Sequence, residues 1–341
     1  MSTLVFVMPD GSEEISGGNL YNAKLCEALE SCTEVRRMRI GAFARHPLAP
    51  GTYLVDTLNL DSAVDVIARR QPGQRFVLLV HHLPSFEPGL LESDPALAIE
   101  RKVLGEFDGY IATGEFTRAW LASQGFGERT MLLEPPIAVA KTAPRTFVAP
   151  VRAVMVCNLI SRKGVLEFLD GLAVALEEDT ETFLEFFLEI VGRDDLDASY
   201  AAACANRVAA DVGLRRHVRL LGALSPAEVA CHYQRANLFL SASRMETFGI
   251  ALQEARHHGL PILAVRGGNA EHHVVAGRTG IVCESPEALA DALVSLLGDS
   301  ARQASLLGAA QELRPVETET WGAAAERLRT VLAEWSRTRW S

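Results

Sequence analysis

Short apolar, β-branched runs alternate with amphipathic helical stretches along almost the whole chain. That alternation confines the fold to parallel sheets covered by helices, an α/β class. In the first half, strands are expected at Leu4–Met8, Val35–Ile40, Thr52–Val55, Phe76–Val80, Gly109–Ala112 and Thr130–Leu133. In the second half they are expected at Ala153–Cys157, Phe187–Val191, Val218–Leu221, Leu238–Leu240, Ile262–Val265 and Gly280–Val282. At 341 residues, two domains are the first expectation. Pro135, Pro136, Pro144 and Pro150 make the stretch between the halves an extended linker. The expected division is residues 1–140, residues 151–316 and a last amphipathic helix within 317–341. The apolar face of that helix, through Trp321, Ala325, Leu328, Val331 and Leu332, must pack somewhere.

The charge balance narrows the partners. A net charge of −10 argues against non-specific nucleic-acid binding, which depends on Lys and Arg. The cluster Arg36-Arg37-Met38-Arg39 reads as a solvated strand edge sooner than as a lipid contact, so membrane association is at most peripheral. Six cysteines show no C-x-x-C spacing, and several sit in apolar patterns as buried free thiols do. A reducing cytoplasm is the expected location. The N-terminal run is too short and lacks the basic residues of a signal peptide, and no stretch approaches the length of a membrane span.

The densest chemical signal is Ser241-Ala-Ser-Arg-Met-Glu246-Thr-Phe-Gly-Ile-Ala-Leu-Gln-Glu254-Ala255. A strand ends before it and a helix starts near Gly249. Free backbone N–H groups and a positive helix end make that start a seat for phosphate or sugar hydroxyls. Glu246 precedes the helix and can turn to a ligand. Glu254 lies one turn inside it and can accept from a ribose diol. Either glutamate alone is matched as well by a capping or an exposed helical residue.

Other groups fall at the carboxyl ends of expected strands, where doubly wound sheets bind ligands. Gly17-Gly18 follows the first strand and permits close backbone approach. His81-His82 follows the fourth; adjacent histidines in a strand point to opposite faces, so a shared metal is not expected. Arg162-Lys163-Gly164 puts a planar fork and a point charge before a helix, a pairing that suits a diphosphate or, equally, a solvated basic turn. Gly192-Arg193 and Leu221-Gly222 follow two further strands, and Gly267-Gly268 leads into a short helix. His257-His258 and His272-His273 lack a Cys or carboxylate at ligand spacing and read as surface and supporting residues. No metal site is expected.

The Ser243…Glu246-Thr-Phe248-Gly249-Ile250…Glu254-Ala255 string resembles the E-x7-E signature of the GT4 (group 1) retaining glycosyltransferases of the GT-B fold. The resemblance implies two Rossmann-like domains facing a cleft, the first binding the acceptor and the second a nucleotide sugar. It also implies a final helix that crosses back to the first domain. By the same resemblance, His81, with His82 as the alternate, lines the sugar site and Glu246 orients the sugar. Arg162 and Lys163 then meet the diphosphate, and Glu254 meets the ribose. Gly17, Gly18, Gly192, Arg193, Leu221, Thr247, Phe248, Gly249 and Ile250 complete the donor contacts. The family's early Arg is replaced by Asn158, and Arg162 is the candidate for the lost charge.

The implied activity is metal-independent retaining transfer of a hexose from a nucleoside diphosphate sugar, of UDP or GDP type, to an acceptor hydroxyl. The acceptor is a saccharide, a lipid-linked sugar or a small metabolite. No separate cofactor is implied. The rival readings are a sugar-nucleotide epimerase or glycosyl phosphorylase on the same fold, and a non-catalytic partner subunit.

Overall fold

A computed structural model describes residues 3–8, 17–57, 60–137, 145–147, 149–179 and 181–337. The chain forms two compact units. Unit 1 comprises Met1–Ile137 and Glu319–Ser341, and unit 2 comprises Ala138–Thr318. All twelve expected strands are present, with ends displaced by two residues at most. The part of the glycine-rich loop between the first strand and Gly17, and residues 138–144 and 148 of the expected linker, lie outside the described residues.

Unit 1 alternates β1 (Leu4–Met8), α1 (Gly17–Glu30), β2 (Val35–Arg39), α2 (Ile40–Arg45), β3 (Gly51–Asp56) and α3 (Leu60–Ile67). It continues with β4 (Gln74–Val80), α4 (Pro95–Leu104), β5 (Gly109–Ala112), α5 (Glu115–Ser123) and β6 (Thr130–Leu132). The strands form one parallel sheet in the order β2-β1-β3-β4-β5-β6. The chain turns one way from β1 to β2 and the other way to β3, so the winding reverses between β1 and β3. Helices on both faces explain why β3 is buried along its length. The edge strand β2 instead exposes Arg36, Arg37 and Arg39, and Arg37 pairs with Glu30 at 2.7 Å.

Unit 2 contains β7 (Val151–Val156), α6 (Val165–Glu178), β8 (Phe186–Val191), α7 (Ala198–Ala210), α8 (Val212–His217) and β9 (Val218–Gly222). It continues with α9 (Pro226–Arg235), β10 (Leu238–Ser241), α10 (Ile250–His257), β11 (Ile262–Val265), α11 (Ala270–His273), β12 (Gly280–Cys283), α12 (Pro286–Leu297) and α13 (Ser300–Glu312). Its parallel sheet runs β12-β11-β10-β7-β8-β9. The winding reverses between β7 and β10, and the carboxyl ends of that pair are where a doubly wound sheet opens a crevice.

The last helix, α14 (Trp321–Trp335), belongs to unit 1. Thr320 caps it by accepting from the Ala323 N–H at 3.2 Å. Ala324, Ala325, Leu328, Leu332 and Trp335 are buried in one core with Leu25 and Leu29 of α1. Burial of the large members of that row stabilises the unit by about 1.5–3 kcal/mol each. Gly109 is obligatory beneath it: a Cβ there would stand 2.5 Å from the Trp335 ring. The return of the final helix to the N-terminal domain, expected from the sequence, is therefore seen.

Candidate functional site

Two groups far apart in sequence meet at the reversal point of unit 2. Lys163 follows β7, Glu246 follows β10, and their Nζ and Oε1 atoms lie 2.5 Å apart. Both are largely shielded, with 13 % and 15 % of their side chains exposed. Burial pushes the Glu246 carboxyl up; the Lys163 charge and hydrogen bond, with the Arg162 charge, outweigh it and hold the group below its ordinary value. Arg162 turns toward the same loop, 3.5 Å from the Met245 carbonyl. Its charge is thus felt at Glu246 and is not lost to solvent.

Glycines let these backbones close up. Gly164 is left-handed (φ 63°), and a Cβ on it would lie 2.4 Å from the Ala242 carbonyl oxygen. Gly268 is left-handed (φ 57°) and sits against the Glu246 carbonyl, 2.2 Å from where its own Cβ would stand. Asn269 then donates its N–H to that carbonyl at 2.6 Å. Ser243, two residues past β10, folds its hydroxyl onto the Met245 carbonyl at 3.0 Å.

Thr247 is half-buried, and Phe248 is buried. The Phe248 carbonyl accepts from Asn269 Nδ2 at 2.9 Å and from His273 Nε2 at 2.5 Å. Burial pushes the His273 imidazole down to about 4, so it is a neutral donor there. Gly249 is left-handed (φ 86°) and starts α10 at Ile250. Glu254, one turn in, is lifted by burial, partly offset by a hydrogen bond from Tyr233.

The remaining candidate residues of unit 2 cluster beside β7, β8 and β9. The Asn158 side chain accepts the Arg193 N–H at 3.3 Å, so the residue that replaces the family Arg props the neighbouring loop. Gly192 abuts the Cys157 carbonyl, which a Cβ would approach to 1.8 Å. The Arg193 side chain pairs with Asp195 at 2.8 Å. Leu221 is half-buried near the end of β9. A cavity of about 240 Å³ opens here, walled by Leu159, Ile190, Gly192, Leu220 and Gly222 and by small residues of α7.

In unit 1, Gly17 and Gly18 open α1, and a Cβ on Gly18 would touch the His81 ring at 3.4 Å. His81 and His82 both lie just past β4, and the Thr57 hydroxyl accepts both their N–H groups, at 3.1 and 3.2 Å. His81 Nε2 lies 2.8 Å from Asn22 Oδ1 and 3.8 Å from fully buried Asp56. The Asn22 amide nitrogen donates to Asp56. Burial pushes the His81 ring down, with the Asp56 charge opposing. Among the described residues no hydrogen bond reaches His81 Nδ1, which is left as an acceptor. His82 turns away to Glu87, at 2.9 Å.

Three residues of this arrangement carried no sequence signal: Asn22, Asp56 and Tyr233. Asn22 sits mid-helix and Asp56 ends a strand, and only the tertiary fold brings them to His81. The expectation of surface positions for His257-His258 and His272-His273 is corrected in part. His257, His258 and His273 are 1 %, 6 % and 5 % exposed, and only His272 faces solvent. They fill the space behind α10, where His258 stacks on Tyr233 at 5.1 Å. Among the described residues no three His, Cys, Asp or Glu side chains gather as metal ligands. None of the described helices is long and apolar enough to cross a membrane.

Two parallel six-stranded sheets of this order, with cation and carboxylate joined at the reversal of the second, define the GT-B class of glycosyltransferase fold. Residues 150–299, most of unit 2, match the family model of glycosyl transferases group 1. Over 290 residues the chain is 27 % identical to a GDP-mannose-dependent α-(1-6)-phosphatidylinositol monomannoside mannosyltransferase of Mycolicibacterium smegmatis, covering 78 % of this chain and 72 % of that protein. It is 34 % identical over 125 residues to a D-inositol 3-phosphate glycosyltransferase of Corynebacterium diphtheriae, where the match spans 36 % of this chain and 29 % of that protein. Among solved structures it is similar to a sucrose-phosphate synthase of Thermosynechococcus elongatus, with a TM-score of 0.75 at 18 % identity over 98 % of this chain and 99 % of the other. Anabaena HepE in complex with UDP gives 0.69 at 16 % identity, over 98 % and 100 %.

Proposed function

We propose that the protein is a retaining, metal-independent glycosyltransferase that moves a hexose from a UDP- or GDP-sugar to an acceptor hydroxyl. The observation that carries the reading is the meeting of Lys163 and Glu246 at the reversal of unit 2. A cation beside a helix start meets the charge that develops on a departing diphosphate. Glu246, kept ionised by Lys163, accepts hydroxyl protons from the transferred sugar. Glu254 takes the ribose diol, and the cavity at Gly192 and Gly222 seats the base. In unit 1, the free acceptor nitrogen of His81 takes a sugar hydroxyl.

In the proposed step the bond from the anomeric carbon to the phosphate oxygen breaks. The acceptor oxygen bonds to that carbon on the same face and gives its proton to the leaving phosphate. No protein nucleophile is required. The relatives' names make polyol and saccharide acceptors the first to test, inositol-bearing ones included. The six cysteines are free thiols, which supports a reducing cytoplasm. A thermal-shift screen of nucleotide sugars followed by product analysis tests the whole reading. Product with inverted anomeric configuration overturns retention; binding without turnover for any acceptor favours the partner-subunit reading.

A further inference from the structure

Unit 1 holds a second cavity, of about 340 Å³, between α4 and α5. Its size falls within the roughly 300–1,000 Å³ of small-molecule sites. One wall is the α4 face Leu97, Glu100, Arg101 and Leu104, at the i, i+3, i+4, i+7 spacing of one helical stripe. That stripe sets Glu100 and Arg101 between two leucines, and of the charged pair only Glu100 is buried. A carboxylate only 3 % exposed in such a row is costly unless its lone pairs are used. One oxygen accepts the Ser85 N–H at 2.8 Å, and Glu100 is one of the residues that line the cavity.

The opposite wall is aromatic and held in place. Trp120 meets Phe86 edge-on at 5.1 Å, and Phe126 stacks on Tyr110 at 4.7 Å. Arg101 and Gln124 stand at the rim with donors available. One carboxylate and one guanidinium leave neither sign of ligand preferred. The apolar ring surface of Trp120 and Phe126, the latter also covered by the Arg129 guanidinium at 5.4 Å, with planar acceptors and donors around it, matches a neutral ring of hydroxyls. Ser85 and Phe86 belong to the turn that carries His82, whose ring is 6.0 Å from that of Phe86.

We propose that this cavity is a saccharide subsite that holds one neutral pyranose ring of the acceptor, with Glu100, Arg101 and Gln124 on its hydroxyls and Trp120 and Phe126 on its apolar edge. The inference rests on the glycosyltransferase reading and adds to it a second contact for the acceptor.

The test is saturation-transfer NMR on the full chain with methyl α-glucopyranoside, methyl α-mannopyranoside and, as apolar control, cyclohexylmethanol. Ring-proton signals from a glycoside should persist when UDP or GDP saturates the protein. They should weaken about tenfold in affinity in Arg101→Ala, the scale of one lost charge-assisted hydrogen bond. They should vanish in Gln124→Trp, which fills the rim from an exposed position without touching the Glu100–Ser85 contact. Three outcomes overturn the subsite: no glycoside signal, a signal unchanged in Gln124→Trp, or binding of cyclohexylmethanol alone. Nucleotide affinity measured on the same samples keeps the two ideas apart. Its loss with glycoside binding intact overturns the glycosyltransferase reading; its retention with glycoside binding absent overturns only the subsite.

Discussion

The Nε2 atom of His81 lies 2.8 Å from the side-chain oxygen of Asn22. That oxygen can only accept, because the nitrogen of the same amide is given to Asp56. The proton between them therefore belongs to the imidazole, and a buried carboxylate fixes the tautomer through one amide. His81 is thereby a neutral ring with an acceptor at Nδ1.

His81→Ala should fold normally and keep its nucleotide affinity while turnover falls by roughly one to two orders of magnitude, the scale of one lost positioning contact. Asn22→Leu should lower stability by about 2–4 kcal/mol in denaturant melts, because it strands Asp56 and the histidine together. If His82→Ala stops transfer and His81→Ala does not, the role belongs to His82.

Lys163→Ala should weaken binding of UDP or GDP by about 1.5–3 kcal/mol in calorimetry. The same substitution should change the pH dependence of folding. In the wild type the Glu246 carboxyl is held low, so its contribution is present above the ordinary carboxylate value and is lost as the pH falls through the depressed one. Without Lys163, only the Arg162 charge and the Ser243 hydroxyl oppose burial, so that contribution should shrink and the fall in stability at low pH should flatten. Melts from roughly pH 3 to pH 7 compare the two; parallel curves would refute the pairing.

The two glutamates should separate. Glu254→Ala should weaken the bare nucleoside diphosphate, and Glu246→Ala should spare it and impair transfer. The Glu254 carboxyl is lifted by burial, so ribose hydroxyls that donate to it should draw it down and release a proton. Nucleotide binding just above the ordinary carboxylate range should then show a buffer-dependent enthalpy that Glu254→Gln abolishes. Equal loss of nucleotide affinity in both alanine variants would refute the assigned roles.

Turnover should be unchanged in excess chelator if, as proposed, Lys163, Arg162 and the start of α10 meet the diphosphate charge. Loss of activity on chelation, restored by Mg²⁺ or Mn²⁺, would show that a metal does this instead.

The fold was legible because parallel strands buried on both faces read as apolar runs, and the exposed edge strand β2, with its three arginines, kept its place in the alternation with helices. The candidate site in unit 2 was legible wherever a motif is contiguous: Arg162-Lys163-Gly164 lies between β7 and α6, and the Glu246 to Glu254 string spans one loop and the start of α10. What stayed hidden depends on tertiary approach. Asn22 is one polar residue on a helix, and nothing nearby in sequence says that it spans Asp56 and His81. His257 and His258 looked like surface histidines because two adjacent polarisable rings resemble a solvated helix end. Their burial follows from how α10 packs against Tyr233.

The seat of α14 also bears on how the chain is made. A ribosome delivers residues in order, and an N-terminal domain ordinarily completes itself while the rest is still being translated. Here unit 1 cannot: Leu328, Leu332 and Trp335 belong to its core and are synthesised after all of unit 2. The nascent first half must wait with Leu25 and Leu29 uncovered, and unit 2 is the first part able to reach its finished form. A stop codon placed before Thr320 would therefore damage the far end of the message's product, leaving unit 2 intact and unit 1 open to proteolysis.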